Sequence, residues 1–326
     1  MKKYILIVLI LVSFLIVYIY SNNSIKEYNK SFFYMDTIIN VKIYANNKKA
    51  EEAFNIIDKT YSDFQKMTDY YDSNSEIYYI NNNHDDIDEI QITENLYNIL
   101  KLSLEWKEKS NGKFEINLGK VLSIWKHYRD NNLGLPNIDD LKNAYNSTNE
   151  IVLLDNDKIK NNNPSIDLGA ITKGYATEIV GNKLEDFGIK NYIINAGGNV
   201  KVGDAYKKDR FSIGIKNPEI LNDIYKIVYG NNISVVTSGS YERFYEYDGT
   251  KYSHIIDPET LYPVNNCLSV TIIADSSILA DILSTTLFVL PIEEGLKIVN
   301  DMPNVEAIYY IDENNIVKSE GFYKYE

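Results

Sequence analysis

The sequence predicts a mixed α+β domain built on a single, mostly antiparallel sheet with flanking helices, preceded by one N-terminal membrane anchor. Three observations carry that expectation. Helix-like and strand-like periodicities are interspersed without the strict alternation of a doubly wound parallel sheet. Turn signals, Asp248-Gly249 and Glu313-Asn314-Asn315, separate short apolar runs as hairpins do. Finally, Lys2 and Lys3 precede an apolar and aromatic run over residues 4–20, about long enough to span a bilayer.

Taken in order, the two lysines belong on the cytoplasmic side, which puts the rest of the chain outside. No small-x-small site follows the run, so segment 1–21 reads as a retained anchor, with a removed signal peptide as the alternative. Residues 22–33 are polar and read as a linker; residues 34–326 form the globular domain. From Thr37, Ile39, Val41 and Ile43 alternate with polar neighbours as in a half-buried strand. Ala50, Ala53, Phe54, Ile57, Tyr61 and Phe64 then recur at helical spacing. A second helix starts at the N-cap Thr93 and stops at Ser110-Asn111-Gly112, and a third covers 172–187, ended by Gly188. Strands follow at 192–195, 211–216 and 233–237, with a hairpin over 243–255. A strand at 268–274 runs into a helix over 276–288, then a helix over 292–300 and a closing hairpin.

With 326 residues, 44% of them hydrophobic and 13% aromatic, the chain has ample material for a core, which excludes disorder. A formal net charge of −13 leaves no basic stripe to displace counterions, so nucleic acid is not a partner. The single cysteine, Cys267, allows neither an intrachain disulfide nor a cysteine metal cluster. His84, His127 and His254 are too scattered to suggest zinc by spacing, and the oxygen-rich composition suits a hard cation such as Mg²⁺ or Ca²⁺.

Several segments carry chemistry. SIDLGAITKGYATEIV, residues 165–180, sets Asp167, Gly169, Lys173 and Gly174 at a helix entry, where unpaired amides and a lysine attract phosphate; the alternative is a lysine on a solvated face. NAGGN, residues 195–199, follows a strand and is either a ligand-approaching loop or a plain turn. VTSGSYERF, residues 236–244, adds small and hydroxyl residues, with Glu242 and Arg243 as a structural pair. In KYSHIIDPETLYP, residues 251–263, His254 sits on the returning strand of the hairpin before Asp257-Pro258, as a general base or as an ordinary packed histidine. Asp281 and Thr285 lie one helical turn apart among Ile278, Leu279, Ile282 and Leu283. A carboxylate among such neighbours calls for a compensating cation, unless it faces water.

Together with MDTIINVKIYA (35–45), DSNSEIYYIN (72–81), SNGKFEINLGKVLSIW (110–125), GIKNP (214–218) and ADILSTTLFVL (280–290), these motifs resemble, in order, the ApbE family of FAD:protein FMN transferases over nearly all of residues 34–326. The resemblance implies an α+β domain that uses Mg²⁺ to transfer FMN from FAD to a threonine or serine hydroxyl of an acceptor flavoprotein, releasing AMP. It maps metal ligands onto the Ala170 carbonyl, Asp281 and Thr285. FAD contacts map onto Met35, Tyr70, Phe114, Glu115, Asp167, Lys173, His254, Ile255 and Ile256, and His254, with Asp281 at the metal, carries the catalysis. It further implies acceptors that are extracytoplasmic subunits of Rnf-type or sodium-pumping quinone reductase complexes, in keeping with a cell-membrane anchor. If water replaces the acceptor hydroxyl, the same site is an FAD pyrophosphatase; a flavin-binding surface protein without turnover is the remaining alternative. The chain departs from the family pattern at Phe114-Glu115-Ile116-Asn117 (usually Phe-Asp-x-Thr), Thr172 (commonly alanine) and Leu261 (usually glycine).

Overall fold

The computed structural model describes residues 4, 24–83, 87–220, 222–241 and 243–326. The anchor segment, apart from Tyr4, and His84 and Glu242 lie outside the described residues. Among the described residues no helix is long and apolar enough to cross a membrane.

The chain opens with strands β1 (Lys26–Tyr34) and β2 (Thr37–Ala45), then helices α1 (Asn47–Thr68) and α2 (Glu76–Asn82), strand β3 (Glu89–Gln91) and helices α3 (Glu94–Lys109), α4 (Gly119–Asn131) and α5 (Ile138–Asn146). Strands β4 (Leu153–Leu154) and β5 (Lys158–Lys160) precede helix α6 (Thr172–Asp186). A run of strands follows: β6 (Tyr192–Ala196), β7 (Asn199–Val202), β8 (Phe211–Lys216), β9 (Ile224–Gly230), β10 (Ile233–Gly239), β11 (Phe244–Tyr247), β12 (Thr250–Ser253) and β13 (Ser269–Ala274). Helices α7 (Ser277–Val289) and α8 (Ile292–Asn300) and strands β14 (Val305–Asp312) and β15 (Asn315–Lys318) complete it.

Eight strands form the main sheet in the order β1-β2-β6-β7-β10-β13-β14-β15, and each neighbouring pair is antiparallel. The expected α+β architecture therefore holds, but the sheet is not single: β3-β5-β4, β8-β9 and β11-β12 form small separate sheets beside it. Central strands are buried on both faces, as in Ser269–Ala274, because the sheet is covered on both sides. Ile272 belongs to a core shared with the α1, α6 and α7 helices, whereas its neighbour Ile273 joins Phe211, Ile213 and Val228 from the β8–β9 hairpin. Alternation along β13 thus feeds two cores rather than one core and solvent.

Helix α1 buries the whole apolar stripe from Ala50 to Phe64, and its N-cap Asn46 accepts the Lys49 amide. Helix α6 ends at its C-cap Phe187, before Gly188 at φ +80°. One expectation is corrected. Of the linker 22–33, residues from Lys26 onward form the edge strand β1, registered against β2 from Lys26↔Ala45 to Tyr34↔Thr37. Most β1 side chains face water, so KEYNKSFFY shows no alternation, and backbone pairing to β2 holds the strand.

A third cluster packs α4 and α5 against the segment after β12: Leu118, Val121, Trp125 and Leu141 meet Ile256 and Leu261. The Trp125 indole donates to the Leu261 carbonyl at 2.9 Å, and the Tyr262 hydroxyl to the Pro136 carbonyl at 2.6 Å. This cluster fixes the strap that carries His254.

Candidate active site

Helix α6 begins without a side-chain cap. Its entry is a tight turn in which the Leu168 carbonyl accepts from the amides of Ile171 (3.1 Å) and Thr172 (3.0 Å), while Asp167 Oδ1 accepts from the Gly169 amide at 2.8 Å. The amide of Gly174, which helical spacing would direct to the Ala170 carbonyl, goes instead to Asp281 Oδ2 at 2.7 Å. That leaves the Ala170 carbonyl without its helical donor. Only glycine permits this approach: a Cβ on Gly174 would stand 2.5 Å from Asp281 Cβ and 2.6 Å from the Ser277 carbonyl.

Asp281 is 4% exposed on a helix buried around most of its circumference. Burial pushes its carboxyl above the usual carboxylate range, opposed by the charge of Lys173, the Gly174 amide and the side-chain amide of Asn199. Asn199 is itself buried; its Oδ1 accepts from the Ser277 hydroxyl at 2.8 Å, and its Nδ2 makes no hydrogen bond of ordinary geometry. Thr285, one turn beyond Asp281, is half-buried.

Lys173 donates to the Gly169 carbonyl at 3.2 Å, and its charge reaches three other candidates. It favours the ionised forms of Asp281 and Asp167 and the neutral form of His254. Loss of hydration raises the Asp167 pKa, against the Gly169 amide and Lys173. His254, one residue past β12, donates its backbone amide to the Arg243 carbonyl at 3.2 Å, and its Nδ1 lies 3.1 Å from the same oxygen. A carbonyl only accepts, so Nδ1 carries the hydrogen and Nε2 keeps a lone pair. Water still reaches the ring at the surface, but lost hydration and then the charges of Lys173, Arg243 and Arg129 push its pKa down to about 4. An ordinary histidine is already mostly neutral at pH 7, and this setting moves His254 further the same way.

Met35 and Asp36 form the β1–β2 turn at φ +52° and +55°. The Met35 amide donates to Gln65 Oε1 at 2.8 Å, and Arg243 Nη2 donates to the Asp36 carbonyl at 2.6 Å and pairs with Asp36 Oδ2 at 3.2 Å. Arg243 therefore joins the Met35 turn to the His254 strap. Tyr70 lies over the start of α4, its hydroxyl 3.4 Å from Ser165 Oγ, and Tyr71 beside it feels the charge of Asp167.

Other expected site residues are placed deeper. Phe114 is 1% exposed in the main core, and Glu115 is paired with Lys107 at 2.7 Å while accepting the Asn117 amide at 2.8 Å. Asn117 Oδ1 accepts from the Ser165 amide at 2.6 Å and the Ile116 carbonyl from the Asp167 amide at 2.8 Å, so this segment braces Ser165–Asp167 from behind. Lys113 binds Asp257 and Glu259 at 3.0 and 2.9 Å, tying the same segment to the His254 strap. Ile255 and Ile256 are buried and anchor that strap.

The fold thus gathers Asp167, Lys173, His254 and Asp281 into one electrostatic group, with Ala170 at the α6 entry. Among the described residues no three histidine, cysteine or carboxylate side chains come together to hold a metal. The oxygens expected there, the buried Asp281 carboxylate, the Thr285 hydroxyl and the Ala170 carbonyl, are of the type that would suit a hard cation. Asn199 and Arg243 went unassigned in the sequence as site residues. For Asn199 a signal existed, because its period-2 spacing to Lys201 puts both on one face of β7.

The sequence matches the model of the ApbE family over residues 35–309. FAD:protein FMN transferases of Treponema pallidum and Klebsiella pneumoniae are each 27% identical to it, covering 91% and 90% of this chain and 88% and 92% of their own. The crystal structure of the ApbE protein of Thermotoga maritima superposes with a TM-score of 0.83 at 27% identity, over 92% of this chain and 99% of that one. The flavin transferase ApbE of Vibrio cholerae shares the fold, with a TM-score of 0.79 at 22% identity over 93% and 100%. Since the matched span runs from Met35 past Thr285, and so includes every residue of the site, the chain belongs to the ApbE family.

Proposed function

We propose that this protein is an FAD:protein FMN transferase, which moves FMN from FAD onto a threonine or serine hydroxyl of an acceptor flavoprotein. The observation that carries this reading is the grouping of Lys173 at the α6 entry, a buried Asp281 bonded to the Gly174 amide of the same turn, and a neutral, Nδ1-anchored His254. The Lys173 ammonium, in the first turn of α6, binds phosphate oxygens at the positive end of that helix. Asp281, Thr285 and the Ala170 carbonyl would hold Mg²⁺, which supplies charge neutralisation at a pyrophosphate. His254 Nε2 takes the hydroxyl proton of the acceptor as its oxygen bonds to the phosphorus of the FMN moiety. The bond from that phosphorus to the bridging oxygen breaks, and the electron pair leaves with AMP. Tyr70 and the Met35 turn line the approach, and the Phe114–Asn117 segment keeps Asp167 in place.

The apolar run at residues 4–20 supports placing the enzyme at the cell membrane, with its domain outside the cytoplasm. That setting suits extracytoplasmic subunits of Rnf-type or sodium-pumping quinone reductase complexes as acceptors. The test incubates the full chain with FAD, an acceptor domain and either Mg²⁺ or EDTA, then images denatured gel bands under ultraviolet light. A Mg²⁺-dependent fluorescent acceptor band is expected. A dark band with AMP in solution would replace the transferase with a pyrophosphatase, and retained FAD without AMP would leave a flavin-binding protein.

A further inference from the structure

Behind Asp281 lies a half-buried ion pair that the reaction itself does not use. Lys201, 5% exposed on β7, places Nζ 3.2 and 3.3 Å from the two carboxylate oxygens of Glu178 on α6, and 3.5 Å from the Asp275 carbonyl. Room for the lysine exists because residue 181 is glycine; a Cβ there would stand 2.7 Å from Lys201 Cε. Glu178 Oε2 also accepts the backbone amide of Ser277, the first residue of α7, at 2.6 Å. That amide has no acceptor within its own helix, and a carboxylate at a helix N-terminus is favourable.

These bonds continue to the site. Ser277 donates its hydroxyl to Asn199, and Asp281, one turn further along α7, accepts from Gly174 on α6. Glu178 and Gly174 are four residues apart on α6 and so share one face of it. The helix therefore holds α7 at two levels: through Glu178 at the α7 N-terminus and through Gly174 at Asp281, one turn later. A partly buried carboxylate facing a buried lysine compensates the lysine's lost hydration, so the two charges support each other.

We propose that Glu178, with Lys201, is a positioning residue for Asp281: by holding the α7 N-terminus against α6 it sets where the Asp281 carboxylate stands relative to the Ala170 carbonyl and Lys173. The inference rests on the reading above only in that Asp281 binds a divalent cation. Removing the support should therefore weaken cation binding first and FAD binding little, as outer groups at metal sites do.

The experiment measures binding of Mn²⁺ alone to the full chain by electron paramagnetic resonance, and separately kcat and the KM values for Mg²⁺ and FAD in the transfer assay. Glu178→Ala is expected to weaken Mn²⁺ binding about tenfold to a hundredfold and to raise the KM for Mg²⁺ in step, with the KM for FAD within about twofold. The pair Glu178→Gln with Lys201→Met keeps an acceptor for Ser277 while removing both charges, and should restore Mn²⁺ binding to within about threefold. Where Glu178→Ala fails to fold, Glu178→Asp, which withdraws the carboxylate by one methylene, decides in the same assay through weakened binding. Unchanged Mn²⁺ binding in the folded single variant, or no recovery in the double variant, overturns the proposal. Absence of Mn²⁺ binding in the wild type overturns the metal reading of Asp281 itself, and with it this inference.

Discussion

Replacing Gly174 with alanine tests how tightly the site depends on the contact between α6 and α7. The added methyl would lie 2.5 Å from Asp281 Cβ and 2.6 Å from the Ser277 carbonyl, whereas ordinary contact begins at 3.4 Å, so the helices must part by about 0.9 Å (3.4 less 2.5). Overpacking of this kind costs about 1–3 kcal/mol, and alanine in place of a helical glycine returns about 1 kcal/mol. The net loss is therefore about 1 kcal/mol, a fall in Tm of roughly 2–4 °C by calorimetry. Function should suffer more. Asp281 moves off the Gly174 amide, and a misplacement near 1 Å costs on the order of a hundredfold in rate. Transfer within about threefold of wild type, in a protein with the expected melting point, would refute the claim that this approach sets the site. A collapse of Tm by more than about 10 °C would show instead that the contact is a general element of stability.

Four further outcomes follow from the same geometry. Because His254 is pushed down to about 4 and acts in its neutral form, kcat/KM for transfer should stay flat from pH 8 to about pH 5.5 and fall only near pH 4; a break at pH 6.5 would contradict its setting. His254→Ala should lower transfer by about 10²–10⁴-fold while FAD binding, followed by flavin fluorescence, is retained. The raised pKa of Asp281 means that its protonated form stabilises the cation-free fold below the unfolded pKa, and that this stability is lost as pH rises through the folded value. Asp281→Asn should accordingly raise Tm in EDTA at pH 7, by a margin that shrinks toward pH 4, and abolish any stabilisation by Mg²⁺; equal melting in EDTA at pH 7 would sink that reasoning. Leu261 is 3% exposed at φ +60°, so Leu261→Gly relieves about 1 kcal/mol of backbone strain but forfeits about 2–3 kcal/mol of burial. Thermal unfolding should show a net loss of about 1–2 kcal/mol, and a stabilised variant would mean that the strain outweighs the packing.

Elements with a clean period were legible. The α1 stripe, the Thr93 N-cap position, the Gly188 stop and the Asp248-Gly249 hairpin all appear where the pattern predicts them. The strand β1 did not show, because an edge strand with mostly exposed side chains carries no alternation to read. Helices α2, α4 and α5 were also missed. They are short or bury few residues, and α4 and α5 pack chiefly against a satellite cluster rather than the main core. Phe114 and Glu115 were legible as part of a motif, but only the fold shows their side chains engaged in the core and with Lys107.

By itself the sequence determined the local chemistry: a glycine and lysine at a helix entry, a carboxylate in an apolar helix, a histidine beside a turn, and the order of motifs that marks the family. Those properties depend on neighbours within a few residues, which periodicity and turn chemistry encode directly. Tertiary structure alone decided that residues as distant as Asp167, Lys173, His254 and Asp281 share one electrostatic environment, that the Gly174 amide engages Asp281 rather than the Ala170 carbonyl, and that Glu178 and Lys201 stand behind it. Their separations are set by the register of β7 and β10 and by how closely α6 and α7 pack, and such long-range distances arise only when whole faces of the chain are buried against each other.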